Sequence, residues 1–384
     1  MQAITKDLYH VGVNDYDIDL FESQYHVPHG MAYNSYVIMD EKIAVIDTVE
    51  VSFGDLWFEK LEEVLQGRTP DYLVVQHMEP DHAGSISRFM ERYPDARIVG
   101  NAKTFTMIGN YYGVSYADRK VVVKNRETLP LGAHTLSFLF APMVHWPEVM
   151  VTYDSADRVL FSADAFGKFG ATDAEEPWDD EARRYYIGIV GKYGAQTQAL
   201  LKNAKTLEIE TICSAHGPVL TGDLSHYLDL YQKWSSYEPE EKGTVIACAS
   251  VYGHTMEAAQ LLKERLEAAG ETVRLFDLNR CDMAGAVSEA FHYDKLVLAS
   301  VTYNAEIFPS MKDYIAHLVE RNFQKRTVAY IENGSWAPVA AKVMRTALSG
   351  CKNLTEIEEQ VTVRSALSED SRGQIDRLAE ALLG

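Results

Sequence analysis

In the stretch "VVQHMEPDHAGS", from Val74 to Ser85, two imidazoles and two carboxylates follow an apolar run: His77, Glu79, Asp81 and His82 fall within six positions. Four ligand-type side chains packed this closely suit neither a hydrophobic core nor a solvated face. They suit a metal. Three further residues of the same kind sit just beyond apolar, strand-like runs: His145 in "HTLSFLFAPMVHWPEVM", Asp164 in "RVLFSADAFG" and His216 in "IETICSAHGP". Each has a plain alternative reading, as a loop histidine or as a helix cap. Open α/β architectures, however, build their sites at such strand ends, where side chains from separate strands converge.

The set offers four neutral imidazoles and three carboxylates, a charge of -3 against +4 for a pair of divalent ions, and one bridging hydroxide brings the site to neutrality. A balanced site of this kind can be buried. Mixed imidazole and carboxylate ligation suits non-haem iron; zinc tolerates it but more often takes His or Cys.

A second group lies further on. "SVYGHT", comprising Ser250, Val251, Tyr252, Gly253, His254 and Thr255, joins an apolar strand to a helix expected to start at Met256. A helix N-terminus offers unpaired N–H groups to an anion without any Lys or Arg. A plain cap explains Ser or Thr there equally well. Two more loops strengthen the case: Thr302, Tyr303 and Asn304 in "SVTYNAEIFPSM", followed by Glu306, and Asn333, Gly334, Ser335 and Trp336 in "ENGSWAP". In a sheet of order 2-1-3-4-5 these loops meet at the switch point where a flavin lies. Tyr303, Asn304 and Trp336 could stack on its ring or bond to its edges.

The elements that must place these residues follow two grammars. "NSYVIMDEKIAVIDT" (Asn34 to Thr48) reads as a hairpin around Asp40 and Glu41, and the longest helical stretch runs from Asp179 to Leu207. After "KWSSYEPEEKG", five short apolar strands alternate with helices, which predicts a doubly wound parallel sheet. The expected domains are residues 1–240 and 241–384. A formal charge of -20 argues against nucleic acid or anionic lipid as main partner, although Lys120, Lys124 and Arg126 form a local basic patch. No apolar run is long enough to span a bilayer, and no secretion signal is evident. Cys213, Cys248, Cys281 and Cys351 form no C-x-x-C pair, which excludes a built-in rubredoxin-type iron site and suits a reducing cytoplasm.

The order H-x-E-x-D-H, followed by His, Asp and His each after a strand, resembles the metallo-β-lactamase fold. Glutamate at the third position of the motif, where zinc hydrolases of that fold usually carry His, resembles the flavodiiron proteins. The resemblance implies an α/β chain with an N-terminal metallo-β-lactamase-like αββα sandwich and a C-terminal flavodoxin-like doubly wound parallel sheet. It implies two irons, one held by His77, Glu79 and His145, the other by Asp81, His82 and His216, with Asp164 bridging them. The three later loops resemble the FMN loops of flavodoxins. His26 resembles a family histidine at the open face of the irons, and Tyr33 or Tyr186 would approach the same pocket.

The activity implied is reduction of O2 to water, with reduction of two NO to N2O as the alternative. Two ferrous ions and one reduced FMN hold the four electrons that O2 requires. The resemblance further implies a rubredoxin as external electron donor and a head-to-tail homodimer, or a dimer of dimers, in which each FMN faces the partner's irons. Two competing expectations are a zinc hydrolase carrying a flavodoxin and a non-catalytic electron carrier. Glu79 and the flavin loops weigh against the first, and the full set of seven donors against the second.

Overall fold

A computed structural model describes all 384 residues. The chain divides into two compact units, Met1–Gln232 and Lys233–Gly384. The division falls inside the helix Ser225–Ser236, upstream of the boundary expected at 240. Tyr231 stacks on Phe166 of the first unit, with ring centroids 4.1 Å apart. The turn after the helix is tied to the second unit instead: the buried Arg326 donates to Tyr237 O at 2.7 Å, and Lys325 Nζ donates to Ser236 O at 3.0 Å.

In the first unit a seven-stranded and a six-stranded sheet lie on either side of one core. Tyr36–Ile38 and Ala44–Ile46 pair antiparallel as the expected hairpin, and Tyr72–Val74 and Arg97–Gly100 continue that sheet in parallel. Ile38, Ile46, Val74 and Val99 of this sheet meet Phe138, Met150, Val159 and Phe161 of the other. On the outer face of the first sheet, Trp57 in the helix Gly54–Leu65 packs on Phe89.

The second sheet decides where the site falls. Thr135–Phe140 and Val159–Phe161 both pair antiparallel with Met150–Asp154, and Val159–Phe161 pairs in parallel with Thr211–Cys213. The strands that precede His145, Asp164 and His216 therefore all point the same way, and the three residues emerge along one edge.

At the other end of the Thr135–Phe140 strand, His134 is buried with carboxylates around it. Its Nδ1 bonds to Asp154 at 2.8 Å, its Nε2 lies 3.8 Å from Asp7, and Asp157 and Asp40 also face it. Burial opposes its charge, but the Asp154 hydrogen bond and the surrounding carboxylates raise its pKa above the ordinary value. Protonation is thus favoured in the folded state. The resulting stabilisation is complete below about pH 6.5, the unfolded value, and fades as pH rises through the folded one. His134→Gln should cost about 1–3 kcal/mol in urea unfolding at pH 6 and less at pH 9; an equal loss at both pH values would contradict this account.

One expected element is broken. Instead of a single helix over Asp179–Leu207, a helix runs from Trp178 to Tyr185, a wide π-type turn covers Tyr186–Val190, a tight turn follows at Gly191–Tyr193, and a second helix spans Gly194–Ala204. Gly188, Gly191 and Gly194 weaken the middle of the stretch. Tyr25 exploits this: its hydroxyl donates to Gly188 O at 2.9 Å, and a Cβ at Gly188 would meet the Tyr25 ring at 2.8 Å. A tertiary contact replaces helical continuity there.

The second unit is a sheet of five parallel strands in the order Val273–Asp277, Glu241–Ala249, Tyr293–Tyr303, Thr327–Asn333, Thr355–Val363, with a short sixth strand, Glu306–Ile307, antiparallel to the end of Tyr293–Tyr303. By chain position this is 2-1-3-4-5. The helices His254–Ala268 and Glu369–Leu383 bury Leu262, Leu266, Ile375 and Leu378 against one face. Pro309–Glu320 packs with Met283–His292, where Tyr314 OH donates to Ala286 O at 3.2 Å.

Candidate metal centre and flavin cradle

All seven donor side chains expected from the sequence converge, and they form two trios around one carboxylate. His77 Nε2, His145 Nε2 and Glu79 Oε2 lie 3.1–3.3 Å from one another. Asp164 Oδ2 is 3.2 Å from His77 Nε2 and 3.1 Å from His145 Nε2. In the second trio, His82 Nε2 is 3.1 Å from His216 Nε2 and 3.3 Å from Asp81 Oδ2. Here it is Asp164 Oδ1 that approaches, at 3.2 Å from His82 and 3.6 Å from His216. One carboxylate oxygen serves each trio.

These distances are those of ligands around an ion. Donors each about 2.1 Å from a common centre are about 3.0 Å apart at octahedral angles and about 3.4 Å at tetrahedral ones. Both oxygens of Asp164 and both of Asp81 are buried with no hydrogen-bond partner, despite the imidazoles beside them. Carboxylates left in this state are costly unless a cation satisfies them. The residues fit a pair of metal ions.

The backbone holds the donors in place. Asp47 Oδ1 accepts from Gln76 N at 2.8 Å and its Oδ2 from the Gln76 side chain at 3.1 Å, which fixes the strand end just before His77. Asp164 sits in a turn whose Ala163 and Phe166 have φ of 50° and 65°, a left-handed conformation that non-glycine residues keep only when surrounding structure enforces it. Ser162 Oγ closes the turn on Ala165 O at 2.6 Å.

The proton affinities of the donors are tied to one another. Burial opposes the Asp164 and Glu79 charges, yet the imidazoles hold both carboxyls well below their usual range. Reciprocally, and against burial, Asp81 and Asp164 push His82 up to about 9, and Asp164 and Glu79 do the same to His145. Asp81 is pushed up to about 7 by burial, and His216 falls to about 3 through burial and the charge of His82. Metal binding must displace the imidazole protons.

At the metal centre two features were not read from the sequence. Glu148, in "HWPEVM", is buried; its Oε1 accepts from His77 Nδ1 at 2.8 Å and from Met78 N at 2.9 Å. The protonated Nδ1 leaves the His77 Nε2 lone pair turned toward the other donors. His216 Nδ1 donates to Ala32 O at 2.7 Å with the same effect. The second feature is Tyr185. Its ring lies 5.4 Å from that of His216, with Phe21 at 5.5 Å and Tyr33 at 6.3 Å. Tyr186 packs on Tyr231 instead, at 5.1 Å.

His26 is exposed in the hairpin Leu20–Phe21/Tyr25–His26 and belongs to neither trio. In the same hairpin, Glu22 is exposed at the surface but has its carboxyl beside Glu79, and partial desolvation together with the Glu79 charge pushes it up to about 7.

In the second unit, Ser250, Val251, Tyr252, His254, Thr255, Val301, Asn333, Ser335 and Ser365 line a cavity of about 280 Å3. No Lys or Arg is among them. Gly253 precedes the helix His254–Ala268 with φ of 96°, and no side chain caps that helix, so its first-turn N–H groups remain available to an anion. Ser250 Oγ accepts from Gly253 N at 3.2 Å. Asn333 spends its amide on the backbone of Ser365, in both directions at 3.2 Å, and Ser365 Oγ bonds to Ser335 Oγ at 2.8 Å. Ser365, beyond the fifth strand, was not anticipated.

Thr302 Oγ1 accepts from Val339 N and Ala340 N at 3.0 and 3.3 Å, at the start of the helix Ala340–Leu348, rather than lining the cavity. Tyr303, Asn304 and Glu306 line a separate groove with Lys312 and Asp313. His254 pairs with Glu257 at 3.2 Å, and a Cβ at Gly334 would meet Pro338 Cα at 2.8 Å. Tyr252 and Trp336 are 91% and 89% exposed, so their faces are free to stack. An uncapped helix start, hydroxyls in place of cations and open aromatic rings fit a flavin phosphate and its ring.

A lactamase-like sandwich with paired-metal donors, followed by a flavodoxin-like sheet, defines a flavoprotein of the metallo-β-lactamase class. A family model described as "ODP family beta lactamase" matches residues 31–217, and one described as "Flavodoxin" matches residues 246–355. A nitric oxide reductase of Moorella thermoacetica is 31% identical over 361 residues, covering 91% of this chain and 90% of that protein. The rubredoxin oxygen:oxidoreductase structure from Desulfovibrio gigas superposes with a TM-score of 0.93 at 25% identity, over 99% of this chain and 97% of that one. The flavodiiron protein of Giardia intestinalis gives 0.91 at 26%, over 100% and 96%. The chain belongs to the flavodiiron family, whose members are oxidoreductases.

Proposed function

We propose that this chain reduces O2 to water at an iron pair held by His77, Glu79 and His145 on one side, by Asp81, His82 and His216 on the other, and by Asp164 between them. The observation that carries this is the division of Asp164, Oδ2 toward one trio and Oδ1 toward the other. FMN held in the cavity of the second unit and irons held by the seven donors would supply the redox chemistry, two electrons from two ferrous ions and two from reduced FMN, the four that O2 needs with four protons to become two waters.

The chain's own residues hold and exclude. Glu148 and Ala32 O keep the His77 and His216 lone pairs turned inward. Phe21, Tyr33 and Tyr185 place an aromatic wall beside His216, an environment that admits a small diatomic of low polarity more readily than a hydrated ion. The first-turn N–H groups after Gly253, with Ser250 and Thr255, hold the phosphate.

Reduction of two NO, with two protons and two electrons, to N2O and water is the second reading. It is favoured by the names of the Moorella relative and of a Salmonella relative called anaerobic nitric oxide reductase flavorubredoxin, 26% identical over 362 residues. Stopped-flow mixing of the fully reduced protein with O2 and, separately, with NO decides between them. Reoxidation by O2 at least as fast as by NO is expected; reoxidation by NO alone would overturn the first reading in favour of the second.

The name of the Desulfovibrio neighbour supports a rubredoxin as external donor, and the exposed Lys120, Lys124 and Arg126 offer an acidic donor a place to dock. The active unit we propose is a head-to-tail homodimer; an active monomer in sedimentation would sink that assignment. No helix is long and apolar enough to cross a membrane. Four unpaired cysteines support a cytoplasmic setting.

A further inference from the structure

The two trios carry the same donors. Each combines two imidazoles, one terminal carboxylate and one oxygen of Asp164. Nothing in that inner set makes one metal position differ from the other; the contacts behind the imidazoles do.

His77 is backed by a charge. Its Nδ1 donates to the buried Glu148 carboxylate, which also accepts from Met78 N, while Glu148 Oε2 is buried with no partner. In the second trio, His216 Nδ1 donates to a neutral carbonyl, Ala32 O, and His82 Nδ1 is buried with no partner at all. Asp47 is the other buried carboxylate nearby. It spends both oxygens on Gln76 and accepts no hydrogen bond from an imidazole; its charge reaches His82 more than His77, through space and without the N–H contact that Glu148 makes with His77. A carboxylate that accepts the outer N–H of a ligating imidazole makes the inner nitrogen a stronger donor than a carbonyl does, and a stronger donor set favours the higher oxidation state.

We infer that the two metal positions are electronically unequal, that the one held by His77, Glu79 and His145 favours the ferric state over the one held by Asp81, His82 and His216, and that Glu148 is the positioning residue responsible. This rests on the function proposed above. It implies that reduction of the ferric pair proceeds in two resolved one-electron steps, with the electron from an external reductant going first to the position beside Asp81, His82 and His216.

Two measurements on the full-length chain test it. The first is a Co2+ titration of metal-free protein, read by visible absorption, for wild type and Glu148→Gln. Wild type should take up two ions. In Glu148→Gln one of them should bind about 10–100-fold more weakly while the other is unchanged. The second is a dithionite titration of the iron-loaded protein followed by electron paramagnetic resonance, in which a half-reduced pair should accumulate in wild type and largely disappear in Glu148→Gln. Unchanged cobalt affinities with an unchanged half-reduced signal would overturn the inference and leave the metal site standing. A wild-type chain that takes up no cobalt pair would remove the proposed function itself. Should Glu148→Gln fail to fold, the wild-type titration still decides, because both irons reducing together with no half-reduced state refutes the inequality.

Discussion

Asp164→Ala protein is expected to retain FMN, to lose iron from at least one position and to lose all gas reduction. Asp164 is the one residue whose two oxygens are divided between the trios, so its removal takes a ligand from both at once. A peripheral ligand such as Glu79 serves only one. The fold should survive. With Asp164 gone, the protons on His77 and His145 lose their main counter-charge and that on His82 loses one of two, and buried imidazoles can shed them and become neutral. A far-ultraviolet circular dichroism spectrum like that of wild type should therefore accompany the loss of metal. Asp164→Asn is the sharper variant, since it keeps the shape and removes the charge. Iron analysis, flavin absorbance and O2 consumption on one preparation give the three readouts. Turnover retained in either variant would show that Asp164 is not the bridge.

Gly253→Val should strip FMN without emptying the iron site. The reason is the backbone. Gly253 has φ of 96°, and a Cβ there would meet nothing within 4 Å, so the penalty comes from conformation and not from a collision. Forcing a β-branched residue into that region costs about 1–3 kcal/mol. The loop can relieve this strain only by moving the N–H groups that point at the phosphate. Since about 1.4 kcal/mol corresponds to tenfold in affinity, FMN should bind about 10–100-fold more weakly. Gly253→Ala should fall between the two, because it adds a Cβ without the branch. Fluorescence titration of the apoprotein with FMN measures the shift, and iron content should match wild type. Normal flavin affinity in Gly253→Val would remove this loop from the cradle.

Much of this molecule was legible in one dimension because its information is local. The spacing of His77, Glu79, Asp81 and His82 reads as a set of ligands, and the runs before His145, Asp164 and His216 read as strands that end there. The five apolar strands of the second unit alternate with helices at a period that permits little besides a parallel sheet. Even the turn at Gly253, ahead of a helix and with no cationic residue in its loop, was readable from its position.

What only the tertiary structure decided concerns side chains whose partners lie far along the chain or whose direction depends on a turn. Glu148 stands 71 positions from His77, and nothing within "HWPEVM" tells a second-layer acceptor from a surface carboxylate. Tyr185 and Tyr186 are adjacent, and consecutive helical residues point about 100° apart, so which one reaches His216 depends on a wide turn that Tyr25 imposes from outside the helix. Asn333 stands in a loop expected from the sequence to meet a flavin, yet its amide is spent on Ser365, 32 residues away. Residue type and spacing set which groups were available to the site; long-range contacts, each made against the entropy of an intervening loop, set which of them face it.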